Sequence, residues 1–155
     1  TTHHPTRAND FRAYKVLSHQ HEAEITRLLD AEGSTGYSLA FVPHSAPLVR
    51  GIFATVQLHP PAALGLNAKS LRDRYENFYR DASFVRLVED TPRVAAVVGS
   101  NFCDIAVHEK HGNVVIMAAL DNLVKGMAGQ AVQNLNLVCA IGETTGLKSL
   151  GSYPV

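Results

Sequence analysis

The chain has 155 residues, with fourteen Lys and Arg set against fourteen Asp and Glu and a formal net charge of zero. That length suits one domain with its own core and is short for an enzyme holding a cofactor and a substrate in separate domains. Balanced charge offers no field for nucleic acid or for an anionic membrane, so neither is expected as a partner. The longest apolar run, near residues 114–120, falls well short of a bilayer span, and residues 1–10 lack a signal-peptide layout. A soluble, cytoplasmic protein is expected, or a mitochondrial one in a eukaryote, where a cleaved address leaves no trace. Cys103 and Cys139 lack metal-type spacing and stand in apolar surroundings, so both read as buried small hydrophobes rather than a disulfide.

Residues 1–10 are polar, contain Pro5 and show no apolar period; they read as a loop or as the cut end of something longer. Residues 11–17 predict a strand. Ile25, Leu28 and Leu29 then form a helical stripe ending near Gly33. Between the two lie His19 and His21, which share a face if that segment is extended, with Tyr14 opposite unless the strand bends first. Glu22 and Glu24 follow in the expected first helical turn, where the helix dipole favours carboxylates. Residues 37–42 predict a second strand, and Pro43-His44-Ser45-Ala46-Pro47 an extended or turning path. Residues 48–58 predict a long strand with Gly51 as a bulge or a close approach.

Asn67 reads as the N-cap of an amphipathic helix carrying Leu71, Tyr75 and Phe78. From Phe84 the pattern predicts strands over residues 84–88, 94–98, 101–108 and 113–119, the last two joined by a turn at Glu109-Lys110-His111-Gly112. A final helix is expected over residues 121–140. Its small residues Gly126, Ala128, Gly129 and Ala131 allow another backbone or a ligand to approach.

Several chemistries are open at this point. His19 and His21 are surface or half-buried histidines at a strand end, or an acid/base pair whose ordinary pKa of about 6.5 lies close to working pH. A zinc site joined by His44 is the other option, but no Cys or Asp stands at a supporting spacing, so no metal is expected. Arg50, among Leu48, Val49 and Ile52, is an edge residue with a snorkelling stem or a fork for a carboxylate or phosphate. The stretch Lys125-Gly126-Met127-Ala128-Gly129-Gln130 cradles a phosphate or a flat ring, or serves tight helix packing.

Four segments together resemble the C-terminal substrate domain of the N-acetyl-gamma-glutamyl-phosphate reductase family. They are His19-Gln20-His21-Glu22-Ala23-Glu24-Ile25; Pro43-His44-Ser45-Ala46-Pro47-Leu48-Val49-Arg50-Gly51; Asn101-Phe102-Cys103-Asp104-Ile105; and the long run from Asp121 through Lys125-Gly126 to Asn136. The ending Glu143-Thr144-Thr145-Gly146-Leu147 is similar as well. Ala23 and Met127 depart from the family's usual proline and alanine. The resemblance implies an α+β fold: a mostly antiparallel sheet covered by helices, like the C-terminal domain of glyceraldehyde-3-phosphate dehydrogenase, and self-association through that sheet.

The same resemblance implies an NADP-dependent reduction of an acyl phosphate through a cysteine thioester. His19 matches the family's acid/base histidine. Tyr14, His21, Glu24, His44 and Arg50 are the expected substrate-binding residues. Asn122, Lys125, Gly126, Gly129, Gln130 and Asn134 are expected toward the cofactor, on a segment (121–147) returning to a nucleotide-binding domain. The chain lacks the family's Gly-rich turn and its Ser-Asn-Pro-Gly-Cys-Tyr nucleophile motif, and Cys103 matches a non-catalytic position. Residues 1–155 are therefore expected to be a substrate-binding and dimerisation domain, inactive alone. The rival readings are the carrier-linked reductase of lysine biosynthesis, aspartate-semialdehyde dehydrogenase, a histidine-based metal- or ligand-binding domain, and a structural oligomerisation module.

Overall fold

Lys15 and Leu17 take positive φ, 44° and 53°, and this breaks the first expected strand. In the computed structural model, which describes residues 9–149 and Gly151, only Arg12–Ala13 (β1) remains strand, paired antiparallel with His44–Ser45 (β2). A ladder cannot continue through left-handed backbone, so the chain turns, with the Ser18 N–H on the Lys15 carbonyl at 3.1 Å. Residues 37–42, also expected as a strand, form none. They return alongside the turn through two backbone bonds, Tyr14 N–H to Pro43 O at 3.0 Å and Leu17 N–H to Phe41 O at 3.2 Å.

Helix α1 runs Gln20–Ala31 with His19 as N-cap, so His19 is extended while His21 already lies in the helix. Glu22 occupies the first turn and Glu24 lies beyond it. The helix stops at Gly33, whose φ of 77° lets its N–H reach Asp30 O at 3.0 Å. These elements belong to a first unit ending at Val49; a second unit begins at Arg50.

The second unit is built on four strands: β3 (Ile52–Leu58), β4 (Val85–Leu87), β5 (Cys103–Lys110) and β6 (Asn113–Leu120). Their order is β3-β6-β5-β4, antiparallel except for the parallel pair β4 and β5. The fold is α+β with a mixed, mostly antiparallel sheet. The β5–β6 hairpin closes through His111 and Gly112, both at positive φ, as a two-residue turn matching strand twist requires. β3 starts after Gly51 rather than running through it, because Gly51 has φ 105° and a Cβ there would overlap Val94.

Helix α2 (Ala68–Phe78) has a capping box between Asn67 and Ser70 and buries Leu71. Residues 94–98, expected as a strand from their valines, instead form a short helix α3 (Val94–Val97). Burying Val97 completely outweighs β propensity there. The last helix opens with a wide π turn at Val124–Ala128 and continues as α4 (Gly129–Val138). Its end is a Schellman arrangement: Ile141 N–H bonds Asn136 O at 2.8 Å and Ala140 N–H bonds Leu137 O at 3.2 Å, with Ala140 at φ 54°. The core residues Leu71, Phe84, Val97, Ile105, Val114, Ala119 and Leu147 all lie in this unit. Cys103 is only half-buried and Cys139 is exposed, against the expectation of two buried thiols, because Cys139 sits past the end of α4.

Candidate functional site

His19 is half-buried in the first unit. Its Nδ1 accepts the backbone N–H of His21 at 3.2 Å, which caps α1. Among the described residues three rings surround it: Tyr14 edge-on at 5.7 Å between centroids, His21 at 4.5 Å and Phe41 at 5.5 Å. The bend at Lys15 is what brings Tyr14 to the histidine side. His21 Nε2 stands 4.0 Å from Glu24 Oε2, an ion pair when the ring is protonated. His44 is placed elsewhere, stacked on Phe11 at 5.2 Å.

Partial burial holds the His19 pKa below its ordinary value; His21 and Lys15 add to this, and Glu24 opposes it. An open cleft of about 580 Å³ adjoins the ring, lined in part by Glu22, Arg27 and Asp30. One Glu22 oxygen, Oε2, is buried without a hydrogen-bond partner among the described residues. A half-buried imidazole at the edge of such a cleft can exchange a proton with a bound group. Phe41 was invisible to sequence reasoning, since its place beside His19 depends on the return of residues 37–42 and on no local spacing.

In the second unit, Arg50 Nη2 pairs with Asp121 Oδ2 at 2.7 Å. Asp121 is completely buried, and its oxygens also accept the N–H groups of Gly99 (2.7 Å), Leu123 (2.7 Å) and Val124 (2.9 Å). Burial pushes the Asp121 pKa up, but the Gly99, Val124 and Leu123 N–H groups and the Arg50 guanidinium together outweigh it and hold the carboxyl below its usual range. The fork expected of Arg50 thus meets a carboxylate of its own chain, while its Nε is buried without a partner among the described residues. Asn122 Oδ1 accepts the Gly51 N–H at 2.6 Å, so Asp121 and Asn122 together clip the chain before β3. The signal for Asp121 was available: an acidic residue between an apolar strand and a helix start is a capping position.

The closing helix has two faces. Gly129, Gln133 and Asn136 are buried; a Cβ at Gly129 would overlap Asn101 Oδ1, which makes this glycine a close-packing residue. Lys125 Nζ donates to Gln133 Oε1 at 2.8 Å, and burial lowers its pKa. Gln133 Nε2 donates to Glu143 Oε1 at 2.6 Å, and Asn136 Nδ2 to the carbonyls of Glu143 and Thr145. The outer face carries Gly126, Met127, Gln130 and Asn134, with Gln130 Nε2 donating to Asn134 Oδ1 at 3.0 Å. Those outward amides suit the carboxamide of a flat ring; Lys125 and Gly129 are committed inward.

Among the described residues no three His, Cys, Asp or Glu side chains gather to hold a metal ion. No described helix is long and apolar enough to cross a membrane.

The sequence matches the family described as semialdehyde dehydrogenase, dimerisation domain, over residues 1–122. It is 41% identical to the N-acetyl-gamma-glutamyl-phosphate reductase of Methanosarcina mazei over 99% of this chain and 45% of that protein. The reductase of the same name from Desulforudis audaxviator is 41% identical over the same shares. The chain therefore spans under half the length of these relatives. Among solved structures, aspartate semialdehyde dehydrogenase II from Vibrio cholerae superposes with a TM-score of 0.50 at 21% identity, covering 63% of this chain and 29% of that one. That likeness concerns the fold.

Proposed function

This chain belongs to the semialdehyde dehydrogenase dimerisation-domain family, and on that premise we propose that it is the substrate-binding and subunit-contact part of an N-acetyl-gamma-glutamyl-phosphate reductase. The identity of 41% to reductases of that name, sustained across 99% of the chain, is the observation that carries this reading. The reaction reduces N-acetyl-L-glutamyl 5-phosphate to N-acetyl-L-glutamate 5-semialdehyde, in the cytoplasm or, in a eukaryote, the mitochondrion. A cysteine outside this chain forms the thioester. NADPH, held mainly by a separate nucleotide-binding domain, supplies the hydride when bound.

His19 is the acid/base group of this reaction, and its place beside an open cleft supports that role. Tyr14 and His21 touch its ring, Glu24 holds His21, and His44 is the remaining substrate-binding candidate of the first unit; Arg50, in the second unit, is held by Asp121. Gln130 and Asn134 face the nicotinamide end. Asn122, Lys125, Gly126 and Gly129 shape that surface, Gly129 by its close packing. Homo-oligomers form through the sheet, where β3 leaves Ile52, Phe53, Val56 and Leu58 each more than two-fifths exposed.

The test is phosphate-dependent reduction of NADP by N-acetylglutamate semialdehyde. It is run on this chain alone and on a fusion to the remaining length of the Methanosarcina mazei relative. Activity in the fusion alone supports the reading. Activity in the isolated chain overturns it and returns Cys103 and Cys139 to consideration as nucleophiles. A fusion that binds NADP yet stays silent points to the lysine-pathway acyl phosphate.

A further inference from the structure

The His19 ring and the first turn of α1 share one hydrogen bond. Nδ1 of His19 accepts the His21 N–H, so a lone pair must sit on that nitrogen, and the neutral ring carries its proton on Nε2. An imidazolium has two donors and no acceptor, and cannot make this bond. We propose that the backbone N–H of His21 is a positioning group for His19: it fixes Nε2–H as the outward atom of the neutral ring and makes proton uptake by His19 and capping of α1 mutually exclusive.

The proton balance is simple. Uptake places a proton on Nδ1, the N–H···Nδ1 bond breaks, and the His21 N–H turns to water. Release restores the lone pair and the cap. The capped neutral ring is thus a donor, suited through Nε2–H to an oxygen that gains negative charge. It becomes a base only by opening the start of α1.

Among the described residues the groups facing the ring are few. Within α1 they are His21, Glu22 and Glu24, with Arg27 and Asp30 farther along the same cleft. From the preceding turn come Lys15 and Tyr14, and from the returning segment the uncharged Phe41 ring. His21 and Lys15 oppose a charge on His19 and Glu24 favours it. The link to catalysis rests on the reductase reading; the link between proton and cap does not.

The experiment is a pH titration of the nitrogen-15-labelled chain by NMR, in a His21→Ala background that keeps the backbone N–H and removes the second imidazole. At high pH His19 should show a lone-pair Nδ1 and a protonated Nε2. The amide of residue 21 should shift, and its solvent exchange accelerate, with the same midpoint as the His19 ring. With His19→Asn added, which caps without titrating, that amide should stay flat. A neutral ring protonated on Nδ1, or a residue 21 amide that ignores the His19 titration, overturns the proposal. In the fusion protein, His19→Asn should abolish most turnover. Retained turnover sinks the acid/base reading and leaves the cap result standing.

Discussion

Arg50 and Asp121 meet at 2.7 Å, one at the start of the second unit and the other 71 residues later at the end of β6, and the carboxylate between them is fully enclosed. A buried charge of this kind is stable only with every lone pair answered, and here three backbone N–H groups and a guanidinium answer it. Asp121→Ala leaves those donors and Arg50 without a partner. It should cost about 3–5 kcal/mol of unfolding free energy in urea titrations at neutral pH. The folded Asp121 pKa is depressed, so its contribution is present above the unfolded value of about 3.9 and is lost as pH falls through the folded one. The gap between parent and variant should close in that acid range. A gap that persists unchanged at low pH would mean that the cost is one of packing.

Gly129 is the tightest point of the closing helix. A methyl there would overlap Asn101 Oδ1 and come within 2.8 Å of the Val124 carbonyl and 2.9 Å of its Cγ1. Gly129→Ala should destabilise the chain by about 1–3 kcal/mol despite alanine's better helix propensity. Gly126→Ala, where the nearest atoms lie at 3.5 Å, should be close to neutral. Thermal melts of the two variants check the contrast; equal effects would show that helix propensity rather than contact dominates.

Much of the fold was legible because its signals are local. The Asn67 cap, the α1 stripe and the His111-Gly112 hairpin each depend on residues within a few positions of one another. The misses share the opposite property. The strand expected at residues 11–17 fails on left-handed backbone at Lys15 and Leu17, non-glycine residues that no propensity marks. Residues 94–98 become helix because Val97 is needed in the core. At the site, the His19–His21 pair was visible as spacing, but the cap joining them was not, since it required His19 to be the last extended residue. Arg50 stood out as a charge among apolar neighbours, while its partner lay too far along the chain for spacing to reveal.

Ala140 holds a left-handed conformation, φ 54°, that costs an L-residue roughly 1–2 kcal/mol and glycine little. The Schellman bonds at the end of α4 require it there. Ala140→Gly should therefore raise stability, by about 1 kcal/mol after the entropy of the more flexible unfolded chain is counted. A lower urea midpoint in the variant would show that Ala140 is not left-handed in solution.

The depressed His19 pKa carries a sign of its own. Because the folded ring binds its proton less well than the unfolded one, stability is full above about pH 6.5 and declines as pH falls from there through the lowered value. The urea midpoint should drop between pH 7.5 and 5.5, and His19→Asn should reduce that drop while preserving the cap. An identical slope in parent and variant would assign the pH dependence to the other histidines.

The acid/base role makes a kinetic demand that a structural role does not. If His19 acts on the reacting atoms, His19→Asn in the fused reductase keeps the N-cap and the neighbouring rings but removes the titrating group. It should lower kcat by about 100-fold or more with KM little changed, as expected for an interaction made in the transition state. The limb of the kcat/KM profile that reports this histidine should vanish at the same time. His21→Ala should do the reverse, raising KM with a smaller change in kcat, because its ring touches His19 and pairs with Glu24 but carries no proton in the proposed reaction. Matching losses of kcat and binding in both variants would mean that the pair shapes the cleft and that the proton is handled elsewhere.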